Sequence, residues 1–142
     1  MAFQVFAAIV TVYVTAIVFD VPSKLRIYIS LLGGLGWFCY LSFLNPYGFI
    51  VATYLSSFLI AFFSHLGARK FKVPVTVFFI PSFFPLVPGA KMYRAVYSYI
   101  TGKSSLGNAY LLETLLISGM IALAILTVDS IFRIVYKNIL KR

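Results

Sequence analysis

Apolar runs of about 20 residues, the length a helix needs to cross about 30 Å of hydrocarbon, follow one another along almost the whole chain. Together they consume most of the 142 residues and leave only short connectors. A separate soluble domain has no room. Only 11% of the residues are charged and 62% are hydrophobic, whereas a soluble domain carries about 25% charged residues. The expectation is an all-α polytopic membrane protein with residues 1–142 forming a single transmembrane domain. The net charge of +9 would suggest nucleic acid in a soluble chain. Here the basic residues lie between apolar runs and read as topology signals, so no nucleic-acid partner is expected. Cys39 is the single cysteine, which excludes an intrachain disulfide and a CxxC metal site.

Five candidate spans can be placed. The first, Phe3 to Phe19, has no basic segment before it and is followed by DVPSK instead of a small-residue cleavage site, so it reads as a retained span and not a signal peptide. Ile27 to Leu44 and Gly48 to Leu66 are separated by Asn45, Pro46 and Tyr47, a turn whose proline ends the helix and whose shortness makes the two runs a helical hairpin. Val73 to Gly89 is apolar but contains Pro81, Pro85 and Pro88, and Tyr110 to Thr127 is the fifth run. Between the last two, Met92, Tyr93, Val96, Tyr99 and Ile100 recur at helical spacing, with Lys91, Arg94, Ser98 and Thr101 elsewhere on the wheel. That pattern predicts an amphipathic interfacial helix, ended by Gly102 and followed by a polar turn, GKSSLGN.

Charge distribution orients the chain. If the proline-bearing run crosses, the N-terminus is outside and the C-terminus cytoplasmic. The inner side then collects Lys24, Arg26, Arg69, Lys70, Lys72, Arg133, Lys137, Lys141 and Arg142, against Lys91, Arg94 and Lys103 outside, nine to three. A re-entrant run gives eight to four. The crossing arrangement fits better.

Prolines 81, 85 and 88 deprive the carbonyls of Val77, Pro81 and Phe84 of their usual helical donors. Such a break survives in a membrane only when buried in protein or lining a watered cavity, and discontinuous helices are how many transporters build a substrate site. A repaired packing kink is the alternative. Pro88 and Gly89 also start the amphipathic helix, whose amide donors and positive dipole end, with Lys91 and Arg94 in its first turns, would suit a carboxylate. Contact of both cations with lipid headgroups is the competing reading. Glu113 is an acid within an apolar run, costly enough to be a proton-coupling candidate. Its rival role is to offset the dipole in the first turn of the last helix, near Asn108. Asp129 and Arg133 are spaced for a helical ion pair. Asp20 reads as a turn residue, and His65, beside Arg69, as an interface residue.

Gln4, Thr11 and Thr15 share one helix face, as do Thr53, Ser57 and Ser64, and Thr114 with Ser118; all three faces are expected to point inward. Gly33, Gly34 and Gly36 permit close helix approach. The sequence offers no nucleotide-binding loop, zinc pair or Ser/His/Asp set, so neither an enzyme nor a cofactor is expected.

Several of these segments carry a family resemblance. FDVPSKLR after the first span, LLGGLGW in the second, IPSFFPLVPGAKMY across the break and the acid of AYLLETLL at the head of the last span resemble the threonine/serine exporter family, specifically its short membrane-only subunit. The resemblance implies export of small metabolites, hydroxy amino acids or a dicarboxylate, with a longer subunit of the same family as partner. It also places Pro81, Pro85, Pro88, Gly89 and Tyr93 in the family's most specific motif. The expectation is a subunit of a proton-coupled exporter of small carboxylate-bearing solutes, multi-pass in the cell membrane. The alternative is a non-transporting assembly or stabilising subunit. Topology is testable directly: an impermeant amine reagent applied to intact cells labels Lys103 if the fourth run crosses, and leaves it unlabelled if the run is re-entrant.

Overall fold

The computed structural model describes residues 1–140, and Lys141 and Arg142 of the basic tail lie outside the described residues. Five α-helices account for nearly all of it: α1 Ala2–Val18, α2 Ser23–Phe71, α3 Thr76–Phe83, α4 Gly89–Ile100 and α5 Ser104–Leu140, with a single 3-10 turn, Phe84–Leu86, after α3. No strand occurs among the described residues. Two helices, α2 and α5, are long and apolar enough to cross a bilayer.

Although its helical hydrogen bonding runs on from Ser23 to Phe71, α2 is a hairpin. Gly48 (φ 77°, ψ 171°) breaks it into two arms, and the arms fold back on each other. The rings of Tyr28 and Phe71 lie 5.2 Å apart, and a Cβ placed on Gly36 would run into Ile60. The predicted hairpin is present, but its turn lies elsewhere. Pro46 stays inside the helical run and the reversal falls at Gly48, because a positive φ is accessible to glycine without steric cost. We call the Gly48 end of the hairpin the tip and the Ser23/Phe71 end the base.

Helix α1 lies antiparallel to the first arm, and added Cβ atoms on Gly33 and Gly34 would collide with Val12 and Ile9. Its C-terminal end meets the base, where Asp20 makes a left-handed turn (φ 52°) as its turn assignment requires. Val12, Ala16, Val21, Leu25, Ile29, Ala68 and Phe78 form one apolar core there. A second core joins Ile60 and Ala61 of the second arm to Phe83, Leu86, Val128 and Phe132.

The proline-bearing run climbs from base to tip. Val75 packs into the basal core, while Lys91 Nζ lies 4.9 Å from the centroid of the Phe49 ring at the tip. From Ala68 to Phe49 the second arm rises about 28 Å at 1.5 Å per residue. Val75 to Lys91 covers the same base-to-tip interval with fewer residues, because a 3-10 residue rises ~2.0 Å and the extended Val87 ~3.3 Å. Breaking the helix lets a short run match the height of the bundle. The orphaned carbonyls are partly re-paired by tightening: Phe84 N–H donates to Pro81 C=O, and Val87 N–H donates to Phe84 C=O at 3.4 Å. The break is real, with Val87 extended (φ −62°, ψ 128°). Yet its main chain is less open than the three prolines imply, since i+3 donors replace the missing i+4 ones.

Beyond the tip, α4 and the start of α5 form a second antiparallel pair. Gly102 (φ 74°) turns the chain, Lys103 N–H donates to Ser98 C=O at 2.8 Å, and α5 begins at once. The polar stretch expected as a turn is therefore already helix from Ser104. Tyr99 Oη donates to Asn108 Oδ1 at 2.6 Å, and Gly107 leaves room for the Tyr99 ring. The amphipathic helix is present, but it is rotated from the simple expectation. Ala95 and Ser98 are buried, whereas Met92, Tyr93, Val96 and Ile100 are exposed. Small side chains allow the close packing on α5, and the large apolar ones remain outside.

Only one of the three polar stripes points fully inward. Thr53, Ser57 and Ser64 are buried. Gln4 and Thr11 are exposed while Thr15 is buried, and Ser118 is exposed while Thr114 is buried. A threonine spends its hydroxyl on its own helix, as Thr11 Oγ1 does on Ala7 C=O at 2.8 Å, so an outward position costs little.

Two glycines test the packing. A Gly33→Leu variant forces α1 off the first arm against the β-branched Val12 and should cost about 1–3 kcal/mol. Gly119→Ala, where a Cβ meets nothing within 4 Å, should instead be neutral or stabilise by up to about 1 kcal/mol. Denaturant unfolding of the detergent-solubilised chain separates them.

Candidate functional site: a charged cleft at the proline break

Where the 3-10 turn gives way to α4, the bundle opens into a cleft of about 210 Å³. Pro85, Leu86, Val87, Pro88, Ala90 and Lys91 form one wall, faced by Trp37 and Tyr40 of the first arm, Thr53 of the second and Ile117 of α5. The walls are largely apolar. Side-chain polar groups come from four residues: the Trp37 indole N–H, the Tyr40 and Thr53 hydroxyls and the Lys91 ammonium. Thr53 Oγ1 donates to Phe49 C=O at 2.7 Å, which fixes its rotamer. Trp37 and Tyr40 stack with ring centroids 5.2 Å apart, an aromatic wall of the sort that accepts a cation.

Lys91 is the residue on which the cleft turns. Its ammonium pairs with the Glu113 carboxylate of α5 while lying against the Phe49 ring. Each half-buried charge supplies the counter-ion of the other. Both side chains remain partly accessible, 33% for Lys91 and 38% for Glu113, so the pair can be approached by a solute. Glu113 lies well inside α5, which begins at Ser104, and not in its first turn. Asn108 is occupied with Tyr99. The role of Glu113 as an offset to the helix dipole is thereby overturned.

The residues singled out from sequence separate into two groups. Pro85, Pro88 and Lys91 line the cleft, and Glu113 sits beside it through Lys91. Gly89 is exposed at the head of α4 and has no neighbour within 4 Å of a Cβ position. Pro81 is fully buried and borders a different cavity, of about 150 Å³, at the base with Asp20 and Thr76. Tyr93 and Arg94 are exposed and do not line the cleft; Tyr93 stacks on Tyr97 at 6.3 Å. Helix geometry explains the division between the two cations. Lys91 and Ala95 lie one turn apart on the side of α4 that meets α5, and Arg94 is rotated away.

Trp37, Tyr40 and Ile117 escaped the sequence reading, because nothing in their local spacing marks them off from core positions. Thr53 was detectable through its stripe. A second polar group, at the base, was recognised only in part: Arg133 Nε donates to Asp129 Oδ2 at 2.8 Å, the i,i+4 pair its spacing predicts. That His65 comes from another helix to face the same carboxylate had no sequence signal.

A helical bundle of apolar helices whose cleft combines a broken helix with a half-buried ion pair has the character of a membrane transport protein. Residues 4–131 match the family described as Threonine/Serine exporter, ThrE, and the chain belongs to that family. The resemblance carried by its sequence motifs is thus borne out. No individual curated protein and no solved structure matches the chain.

The ion pair makes a measurable link between α4 and α5. In a double-mutant cycle of Lys91→Ala and Glu113→Ala, followed by denaturant unfolding in detergent, the coupling energy should be about 0.5–1 kcal/mol, the range for partly exposed pairs.

Proposed function

We propose that this chain is one subunit of a proton-coupled exporter of threonine and serine, with the cleft at the proline break as its substrate site. The observation that carries the reading is the Lys91–Glu113 pair at the mouth of the cleft. A zwitterionic amino acid can divide that pair, its carboxylate taking Lys91 and its ammonium taking Glu113, so no charge is left alone. The hydroxyls of Tyr40 and Thr53 suit a hydroxylated side chain. A dicarboxylate fits less well, since it sets two negative charges against one lysine that already has an acid beside it.

The same arrangement bears on coupling. A protonated Glu113 cannot hold the substrate ammonium, so proton and substrate exclude each other at that carboxylate. Mutual exclusion at one site is the condition for exchange, because linkage requires each ligand to weaken the other equally. Pro81 would hold the basal end of the broken segment in place. Gly89 would let the chain enter α4 without a side chain at the mouth. Tyr93 and Arg94 act, in this reading, outside the path.

The charge distribution supports one orientation in the cell membrane. The described basic residues Lys24, Arg26, Arg69, Lys70, Lys72, Arg133 and Lys137 belong to the base, and Lys91, Arg94 and Lys103 to the tip. A cytoplasmic base puts the N-terminus outside and the C-terminus inside. The broken segment then crosses as a fourth of five spans, its base-to-tip rise supporting crossing over re-entry. A longer subunit of the family would cover outward polar positions such as Gln4 and Thr11, and the aromatic face of α4.

Efflux of threonine from cells lacking the chain, with the partner subunit present and inserted, is the test. The wild-type chain should restore efflux. Lys91→Gln should reduce it at least about tenfold, the loss of one charge-assisted contact, while Arg94→Gln should leave it near wild type. In reconstituted vesicles, KM for threonine should rise as the pH on the loading side falls, and Glu113→Gln should abolish that rise. If Lys91→Gln exports normally, the site is misassigned. If the chain serves only to stabilise its partner, both variants restore efflux equally.

A further inference from the structure

The geometry points to a second proton-binding site, at the base of the bundle opposite the cleft, formed by His65 of the second arm and Asp129 of α5. His65 is held from two sides by aromatic rings. Phe132 of α5 stacks on it at 4.7 Å with nearly parallel planes, and Phe79 of α3 meets it edge-on at 5.7 Å. The imidazole is buried, 8% exposed, and its Nε2 has no hydrogen-bond partner. Buried polar atoms are nearly always paired, and an unpaired one calls for an explanation.

The nearest acceptor is already aligned. Asp129 spends Oδ2 on Arg133 and turns Oδ1 toward His65 Nε2 at 3.7 Å. Closing that gap to the ~2.9 Å of an N–H···O bond needs a movement below about 1 Å. Protonation supplies the reason to move, since an imidazolium donates from both nitrogens and gains an opposite charge. Other charges around it come from the same two helices: Arg69 on the second arm, whose guanidinium lies 4.7 Å from the Phe132 centroid, and Arg133 behind Asp129. Packed against the ring from α3 is Phe79, and that helix contains no charged residue.

The proton is the ligand, and binding it draws α5 toward the second arm. Phe79 belongs to α3, and the segment that follows α3 forms the wall of the cleft, so the change at the base is carried toward that wall. The site extends the transport reading to a pH response at the basal face, but the binding of the proton can be measured without transport.

His65 is the single histidine of the chain, so a protein labelled with nitrogen-15 histidine, purified without a histidine tag and placed in lipid nanodiscs, gives one imidazole signal. The expected result is an imidazole that passes from its neutral to its doubly protonated form as the pH is lowered. Its midpoint should fall by about one pH unit in Asp129→Asn, through loss of the facing charge, and rise in Arg133→Gln, where the carboxylate has no competing cation. An imidazole that stays neutral down to the pH at which the protein unfolds, or a midpoint unmoved in both variants, overturns the proposal. The Lys91→Gln variant should keep the His65 titration while losing efflux. Failure of the cleft assignment would thus show as normal efflux in Lys91→Gln, with the histidine result standing apart.

Discussion

A main-chain N–H or C=O surrounded by hydrocarbon has no water to turn to, and this constraint shapes every part of the molecule. It makes the apolar runs helical. It also confines departures from helical geometry to places where other donors are at hand. At Gly48 the departure is a reversal at the hairpin tip. At Gly102 it is a turn at the far end of the α4–α5 pair. The break at Val87 is the one that falls within the bundle, and there the 3-10 turn re-pairs two of the carbonyls that the prolines orphan. What remains is the single extended residue Val87, at a cleft faced by α2 and α5.

That break has a geometric use as well as a chemical one. An unbroken helix over the same residues would stop short of the tip, since it rises only 1.5 Å per residue. The break lengthens the segment, carries Lys91 to the level of Phe49, and sets it against Glu113. The prolines thus act by moving a charge into place and by leaving room beside it, and less by exposing bare carbonyls.

Polar chemistry is concentrated at the two ends. At the tip, Lys91 and Glu113 form a neutral pair accessible from a cleft. At the base, His65 faces an acid that is itself held by an arginine. Between them the second arm carries buried hydroxyls, among them Ser57 and Ser64, whose oxygens lack partners. The two charged groups draw their basic member from different helices, α4 at the tip and α2 at the base, while α5 supplies the acid each time. A tilt of α5 would therefore be felt at both.

Much of the architecture was legible in the sequence because it depends on local pattern. Apolar run length dictates helices, the three prolines dictate a break in the fourth run, Gly102 marks an end, and Asp129 with Arg133 is a pair within one helix. That Thr53, Ser57 and Ser64 share one face follows from helical period alone, whereas its burial does not, since two other stripes of the same kind are partly exposed. What local pattern cannot supply is the rotation of one helix against another. That rotation put Ala95 and Ser98 of α4 inside and its aromatics outside, and sent Lys91 toward the cleft but Arg94 away from it. It also joined Lys91 to Glu113 across 22 positions and His65 to Asp129 across a longer interval. Such pairings are decided by which side chains are small enough to let two helices approach, an energy summed over many contacts between distant segments. The sequence determined that this chain would be a bundle with a flaw in one helix; only packing in three dimensions decided which charges the flaw would bring together.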